Sequence, residues 1–419
     1  MEQGGTPRED IRMNPSSVTR MIFDTIPQIY EAKGGDCPVD LGIPGEESQV
    51  YSPLPLSDGL KSYIKNAADI WEELRPMTEG DITQVIEREW IQQKFVVAWL
   101  KAKTGISTWD SILDYFRRLA RRTIENRRLS KTLVIEPGEI VSGAVSLTDT
   151  RYYKVFDWLG STPMTYYRVD ERLGLKSLEA ISLTEIKDLE GYRFYPDRLH
   201  PIVSSLGNSK SVLVHLSEDG AFLVVNRDGV IASKRGGESW TIFDKDHLIG
   251  SVAKVMERQL GEAPRSEKSY CVACSLFQIL FDISMKRHGA LIILDDPDNL
   301  GRYLAKGIER DARSPLNKIF THSPFNGLEF SIPEVRKLLE LSSVDGALIL
   351  DLQGNLVQVG SVVVAYPSAV SHFGTREAAG YSAAKFGATA FKVSADGQVT
   401  LFFTTPSETS EEVHRFELL

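Results

Sequence analysis

The chain has 419 residues, 42% hydrophobic and 25% charged, which excludes a lone small module and predicts two or three domains at roughly 150 residues each. Its 48 Lys and Arg stand against 57 Asp and Glu, and the net charge of −9 argues against a general affinity for nucleic acid or an anionic membrane. Three cysteines, Cys37, Cys271 and Cys274, are too few for a disulfide framework and suit a reducing, cytoplasmic setting. No apolar run has the length of a membrane span and no apolar h-region follows Met1, so neither a membrane partner nor a secretory leader is expected.

Residues 1–55 read as a loosely ordered arm with one short helix near 18–32. Residues 56–131 read as a helical region. There Asp81 caps a helix with Ile82, Val85, Ile86 and Trp90 at three- and four-residue spacing, ending near Thr104-Gly105. The run Ser107-Thr108-Trp109-Asp110 has the form of a capping box for the next helix, and Trp71, Trp90, Trp99 and Trp109 are expected in the core. Residues 132–261 read as a small α+β, sensor-like module. Its strands are predicted at 132–135, 152–156, 166–169, 211–215, 221–226 and 230–233, with hairpin turns at Asp219-Gly220 and Asp228-Gly229 and a helix over 248–260.

Residues 265–404 show the clearest alternation of helix and strand and predict one α/β domain with a mixed sheet. A helix over 269–287 leads to a buried strand at 290–294; Leu300, Leu304 and Ile308 mark a second helix and Val335, Leu338 and Leu339 a third. Strands at 346–350 and 356–364, a helix over 375–386 and a hairpin of 390–394 with 399–403 complete it. Residues 405–419, with four glutamates against Arg415, read as a frayed acidic tail. No internal repeat at a spacing of 20–50 residues is evident.

Two short motifs carry the chemistry. Asp345-Gly346-Ala347 stands where a helix gives way to a strand, and 29 residues later Gly374-Thr375-Arg376 opens a helix. Free backbone N–H groups there, with the Thr375 hydroxyl and the Arg376 guanidinium, can hold phosphate oxygens. A carboxylate facing such a cradle suits a nucleotide carrying Mg²⁺.

In order and spacing, these motifs, together with the run 284–293 (SMKRHGALII), Gly307-Ile308, and Val393-Ser394 before a Gly turn, resemble the diadenylate cyclase (DAC) domain family over about residues 265–404. The resemblance implies a nucleotidyltransferase that condenses two ATP into cyclic di-AMP with release of two pyrophosphates, for second-messenger signalling. It implies a homodimer with DAC domains face to face, each holding one ATP, and Mg²⁺ or Mn²⁺ as cofactor. Carried onto this chain, Asp345 holds the metal and helps activate the attacking ribose hydroxyl, Gly307, Gly346 and Ala347 line the nucleotide, and Gly374, Thr375 and Arg376 grip the phosphates. The family motif continues from Gly-Thr-Arg into His-Arg, whereas Glu377 and Ala378 follow here. A negative charge at 377 repels a triphosphate unless it points away or meets the metal; Lys385, two turns on, is a candidate replacement cation. Two readings stay open: a cyclase regulated by its N-terminal region, and a nucleotide-binding regulator that has lost turnover.

Weaker signals have plainer readings. Cys271-Val272-Ala273-Cys274 lacks a second ligand pair and reads as helix core, and the seven histidines, His372 among them, show no metal-ligand spacing. Arg117, Arg118, Arg121, Arg122, Arg127, Arg128 and Lys131 form a basic stretch, read first as an outward helix face above buried Ile112, Tyr115, Phe116 and Leu119. A phosphate, nucleotide or nucleic-acid contact is the alternative, nucleic acid ranking last because the whole chain is acidic.

Overall fold

The computed structural model describes residues 22, 25–26, 37–39, 50–52, 54–74, 85–124, 127–138, 140–159, 165–181, 193–207, 210–235, 239–260, 267–305, 332–367, 374–405 and 412–418. Helices α1 (Asp58–Leu74), α2 (Val85–Thr104) and α3 (Trp109–Ala120) come first after the ribbon of β1 (Cys37–Val39) and β2 (Val50–Ser52). Next come the ribbon of β3 (Thr123–Ile124) and β4 (Arg127–Arg128), then β5 (Lys131–Glu136), α4 (Tyr153–Trp158), β6 (Thr165–Asp170) and β7 (Leu175–Ala180). A 3₁₀ turn at Asp197–Leu199 runs into α5 (His200–Ser204), followed by β8 (Val212–Leu216), β9 (Phe222–Val225), β10 (Val230–Lys234) and β11 (Trp240–Ile242).

Two long helices, α6 (Lys245–Leu260) and α7 (Glu267–Lys286), lead into the last part of the chain. It contains β12 (Ala290–Leu294), α8 (Ile332–Ser342), β13 (Ala347–Leu350), β14 (Leu356–Ser361), α9 (Thr375–Lys385), β15 (Thr389–Val393), β16 (Val399–Thr405) and β17 (Glu412–Glu417).

Strand alternation divides the interior into three packed layers. On β5, Leu133 and Ile135 face the core shared with α1–α3, while Val134 faces the opposite core with α6 and α7. On β12, Ala290, Ile292 and Leu294 face that same middle core, and Leu291 and Ile293 face the core under α9. The order is therefore helices, sheet, helices, sheet, helix, and residues 56–131 share one core with the sheet of 132–242.

The two sheets have one connectivity. In the first, β5 pairs parallel with β6 and antiparallel with β8, while β7 hairpins onto β6 and β9 and β10 continue outward from β8. In the second, β12 pairs parallel with β13 and antiparallel with β15, β14 hairpins onto β13, and β16 and β17 continue outward. The first sheet adds only β11 at its edge, giving orders β11-β10-β9-β8-β5-β6-β7 and β14-β13-β12-β15-β16-β17. Both units stack in the same sense, so the α5 face of the first meets the α7 face of the second.

Several elements differ from the sequence expectation. The expected strand at 152–156 is the helix α4, on whose carbonyls the buried Lys131 ammonium closes: it donates to Phe156 and, at 2.6 Å, to Leu159. The Ser107–Asp110 capping box does not form. Thr108 is the N-cap residue, but its hydroxyl donates to the Glu171 carbonyl, and Asp110 is drawn off by Lys94 at 2.7 Å and Lys101 at 3.0 Å. Leu300 lies in a 3₁₀ turn (Pro297–Arg302) and Leu304 in an isolated bridge to Val363; Ile308, in the same expected helix, lies outside the described residues. The acidic tail is not frayed over 412–417: β17 completes the sheet edge, with Leu401 opposite Phe416. In the N-terminal arm, Ile22, Thr25 and Ile26 are buried, and the Thr25 hydroxyl bonds Tyr63 of α1 at 2.7 Å. Asp81 and Ile82 lie outside the described residues.

Candidate functional site

The parallel register of β12 and β13 sets Leu291 opposite Ala347. Both strands start at this edge of the sheet, β12 directly after Gly289 and β13 directly after Asp345-Gly346. Arg376 joins them from α9: its guanidinium lies across Gly289, so close that a Cβ there would fall 2.4 Å from Nη1. The two motifs separated by 29 residues are thus brought to one sheet edge, with Asp345, Gly374, Thr375 and Arg376 all exposed.

Each side chain is held by a local cause. Gly346 has φ +103°, and a Cβ on it would meet the backbone of Gly360 and Ser361 at 2.6–2.8 Å. Only glycine fits where β14 crosses so near. The tight turn leaves Asp345 at the rim, its Oδ1 accepting the Gly346 N–H at 3.0 Å. Ala347 is buried against the α9 layer, so its methyl anchors the strand and does not line the exposed edge, which corrects that part of the expectation.

Gly374, extended at ψ 163°, is the N-cap of α9, and its carbonyl accepts the Ala378 N–H at 2.8 Å. The N–H groups of Thr375, Arg376 and Glu377 have no partner within the helix and point outward as the positive end of its dipole. Small residues on the underside let α9 lie close to the sheet. A Cβ on Gly380 would touch the Phe402 ring at 3.1 Å, and Ser382 accepts the Tyr366 N–H at 2.7 Å.

Glu377 is the departure from the family motif, and the structure shows where its charge goes. The side chain, 15% exposed, is clamped by Lys392 of β15 at 3.3 Å and Arg415 of β17 at 3.0 Å. Its negative charge is neutralised from below, away from the open helix end. Ala378 is buried against the sheet. Lys385 stands in the last turn of α9, nine residues and about 13 Å of helix rise from Arg376, which removes it as a replacement cation. Lys392 and Arg415 carried no sequence signal; their roles arise from strand register.

Gly307 and His372 lie outside the described residues. Cys274 is buried and its thiol pushed up to about 12, first by burial and then by neighbouring Cys271, in keeping with a core role. The basic stretch is not one helix face. α3 ends at Ala120, Arg127 and Arg128 fall in a short strand, and Lys131 is buried with its ammonium pushed down to about 8 by burial. Trp90 is 43% exposed where a core position was expected. Among the described residues no group of three or more His, Cys, Asp or Glu side chains is arranged to hold a metal, and no helix is long and apolar enough to cross a membrane.

No family model matches the chain, and no curated protein does. Among solved structures, the chain is similar to a hypothetical membrane spanning protein from Bacillus cereus, at 15% identity, over 41% of this chain and 72% of that one, with a TM-score of 0.27. A double mutant of DacA from Staphylococcus aureus aligns at 17% identity over 41% of this chain and 88% of that one, with a TM-score of 0.21. Both likenesses are weak.

Proposed function

We propose that residues 265–404 form a diadenylate cyclase that condenses two ATP into cyclic di-AMP. The observation that carries the reading is the placement of Asp345 and Arg376 at one exposed sheet edge, Arg376 over Gly289 before β12 and Asp345 before the parallel neighbour β13, beside the open N-terminus of α9. In this reading the ribose 3′-oxygen of one ATP forms a bond to the α-phosphorus of the other, the bond to the bridging oxygen breaks, and pyrophosphate leaves. The same step in the opposite sense closes the ring. In-line displacement of this kind needs positioning and charge stabilisation above all, so few side chains suffice.

The Arg376 guanidinium and the free N–H groups of Thr375 and Arg376 bind the phosphates and stabilise the charge on departing pyrophosphate. Asp345 orients the attacking hydroxyl and takes up its proton as the new bond to phosphorus forms. Its exposed carboxylate also fits a divalent cation, Mg²⁺ or Mn²⁺, held mainly by phosphates and water, which supplies further charge neutralisation when bound. Two copies facing one another at this edge supply the two nucleotides. The N-terminal unit regulates the site by shifting these edges relative to each other.

A second reading, nucleotide binding without turnover, is favoured by one observation: positions 377 and 378 contribute no phosphate-binding cation. One experiment separates the two. The full chain is incubated with ATP and Mg²⁺ or Mn²⁺ and the products resolved by mass spectrometry, beside Asp345→Ala and Arg376→Ala. Cyclic di-AMP that disappears in both variants supports the cyclase. Bound ATP without product supports the second reading, and neither binding nor product overturns both.

A further inference from the structure

We infer that the first unit carries a separate binding site for a nucleotide-class ligand, a planar aromatic group bearing phosphate. A pocket of about 720 Å³ opens between α2, α3 and the β9–β11 side of the first sheet, within the roughly 300–1,000 Å³ range of small-molecule sites. Its floor is a chain of edge-to-face rings. Phe116 meets Phe222 at 5.1 Å and Phe222 meets Trp240 at 5.3 Å. At its rim stands the half-exposed indole of Trp90, a flat apolar surface facing solvent on which a base can stack.

The walls are cationic in a chain that is acidic overall. Five basic side chains, Arg117, Arg121, Arg128, Lys234 and Arg235, line the pocket against Glu89 and Asp219. Two of the five are already paired, Lys234 with Glu89 at 2.6 Å and Arg117 with Asp114 at 3.1 Å, and Asp219 is paired with Arg287 of the second unit. Among the described residues, the Arg128 guanidinium donates to the Asp219 carbonyl at 3.5 Å, and Arg121 makes no ion pair or side-chain hydrogen bond. An aromatic floor, a stacking rim and surplus guanidinium groups select against a neutral apolar ligand and against a bare inorganic anion. Two wall residues also reach the second unit: Asp219 pairs with Arg287, and Arg235 donates to Ser284, which itself bonds the Gly397 carbonyl at 2.7 Å.

The site is tested on the full chain carrying Arg376→Ala, so that phosphate binding at the β12–β13 edge is removed. AMP, GMP, CMP, UMP and ATP serve as radiolabelled probes in equilibrium dialysis, with adenosine and inorganic phosphate as competitors. At least one nucleotide is expected to bind saturably, to weaken with added salt, and to lose about tenfold or more in affinity in the exposed-residue variant Arg121→Glu/Arg128→Glu. Trp90→Ala, independent of charge, is expected to weaken it several-fold, about the worth of one base stack, and adenosine or phosphate alone to compete poorly. Absence of saturable binding by any of the five nucleotides overturns the inference. So does binding that neither pocket variant weakens, or binding seen only when Arg376 is present, which assigns the ligand to the second unit and leaves the cyclase reading intact.

Discussion

The two sheets are built by the same connectivity, yet the corresponding helix ends have opposite fates. In the second unit the first turn of α9 is open, with Arg376 as its second residue lying over Gly289. In the first unit Arg198 is the second residue of the helical turn that runs into α5, but that turn is covered by α7 of the second unit. The Asp282 carboxylate accepts the Asp197 N–H there at 2.8 Å, and Arg198 faces His215 at 3.2 Å. A carboxylate that belongs to the protein thus occupies the place an anionic ligand takes at an open helix end. Shared topology therefore does not fix the state of the helix end; whether the neighbouring unit supplies a carboxylate does.

That contrast can be broken most severely at Gly346. Gly346→Val combines a left-handed φ with a backbone clash at 2.6 Å, and is expected to cost about 3 kcal/mol or more, read as a fall in the urea midpoint. Glu377→Ala comes next. Losing the carboxylate leaves Lys392 and Arg415 facing each other, and about 1–2 kcal/mol of stability should go, more at low salt.

The closed helix end predicts a pH signature. Burial pushes Asp282 up to about 6, so its contribution to stability is full below the ordinary carboxylate range and is lost as pH rises through about 6. His215 has the opposite sign: burial, then the Arg198 charge, push it down to about 3, and its contribution is full above the ordinary imidazole value and is lost as pH falls towards 3. Asp282→Asn removes only the first effect, so the stability of the variant relative to the parent is expected to rise between pH 4 and 6 and then level. A difference that stays flat across that range in urea titrations would show that burial does not penalise the Asp282 charge. The smallest stability effect is expected at Gly289→Ala, under about 1 kcal/mol, because the clash is with the movable end of Arg376. ATP affinity at that edge should fall several-fold all the same, about 1 kcal/mol in binding, which dialysis against labelled ATP would reveal.

Much of the second unit was legible because its residues speak locally. A five-residue apolar run before Asp295 reads as a buried strand, Asp345-Gly346 as a turn, and Gly374 before Thr375-Arg376 as a helix start. Their placement at one sheet edge was not legible, since a parallel register between strands more than fifty residues apart has no local signature. The same reason hides the roles of Lys392 and Arg415. The repeated connectivity escaped a search for repeats because the shared property is strand order, and the paired strands, such as Lys131–Glu136 and Ala290–Leu294, have little sequence in common. Trp90 was misplaced because the helical periodicity that puts apolar residues inside cannot tell a core from the rim of a pocket.

The helix α7 has a practical consequence for anyone dissecting this chain. Its side chains fill the middle core that both units share, with Phe281 meeting Phe243 from the first unit at 6.2 Å and other α7 residues packing with β12 and β15. A fragment that starts at Glu267 would present that whole apolar flank to water, and would be expected to aggregate or to associate through it. Removing residues 1–260 therefore does not isolate the second unit in its native surroundings. Scission of the polypeptide with both halves retained, or point changes at Asp219 and Arg235, keeps the flank covered while loosening the tie between the units.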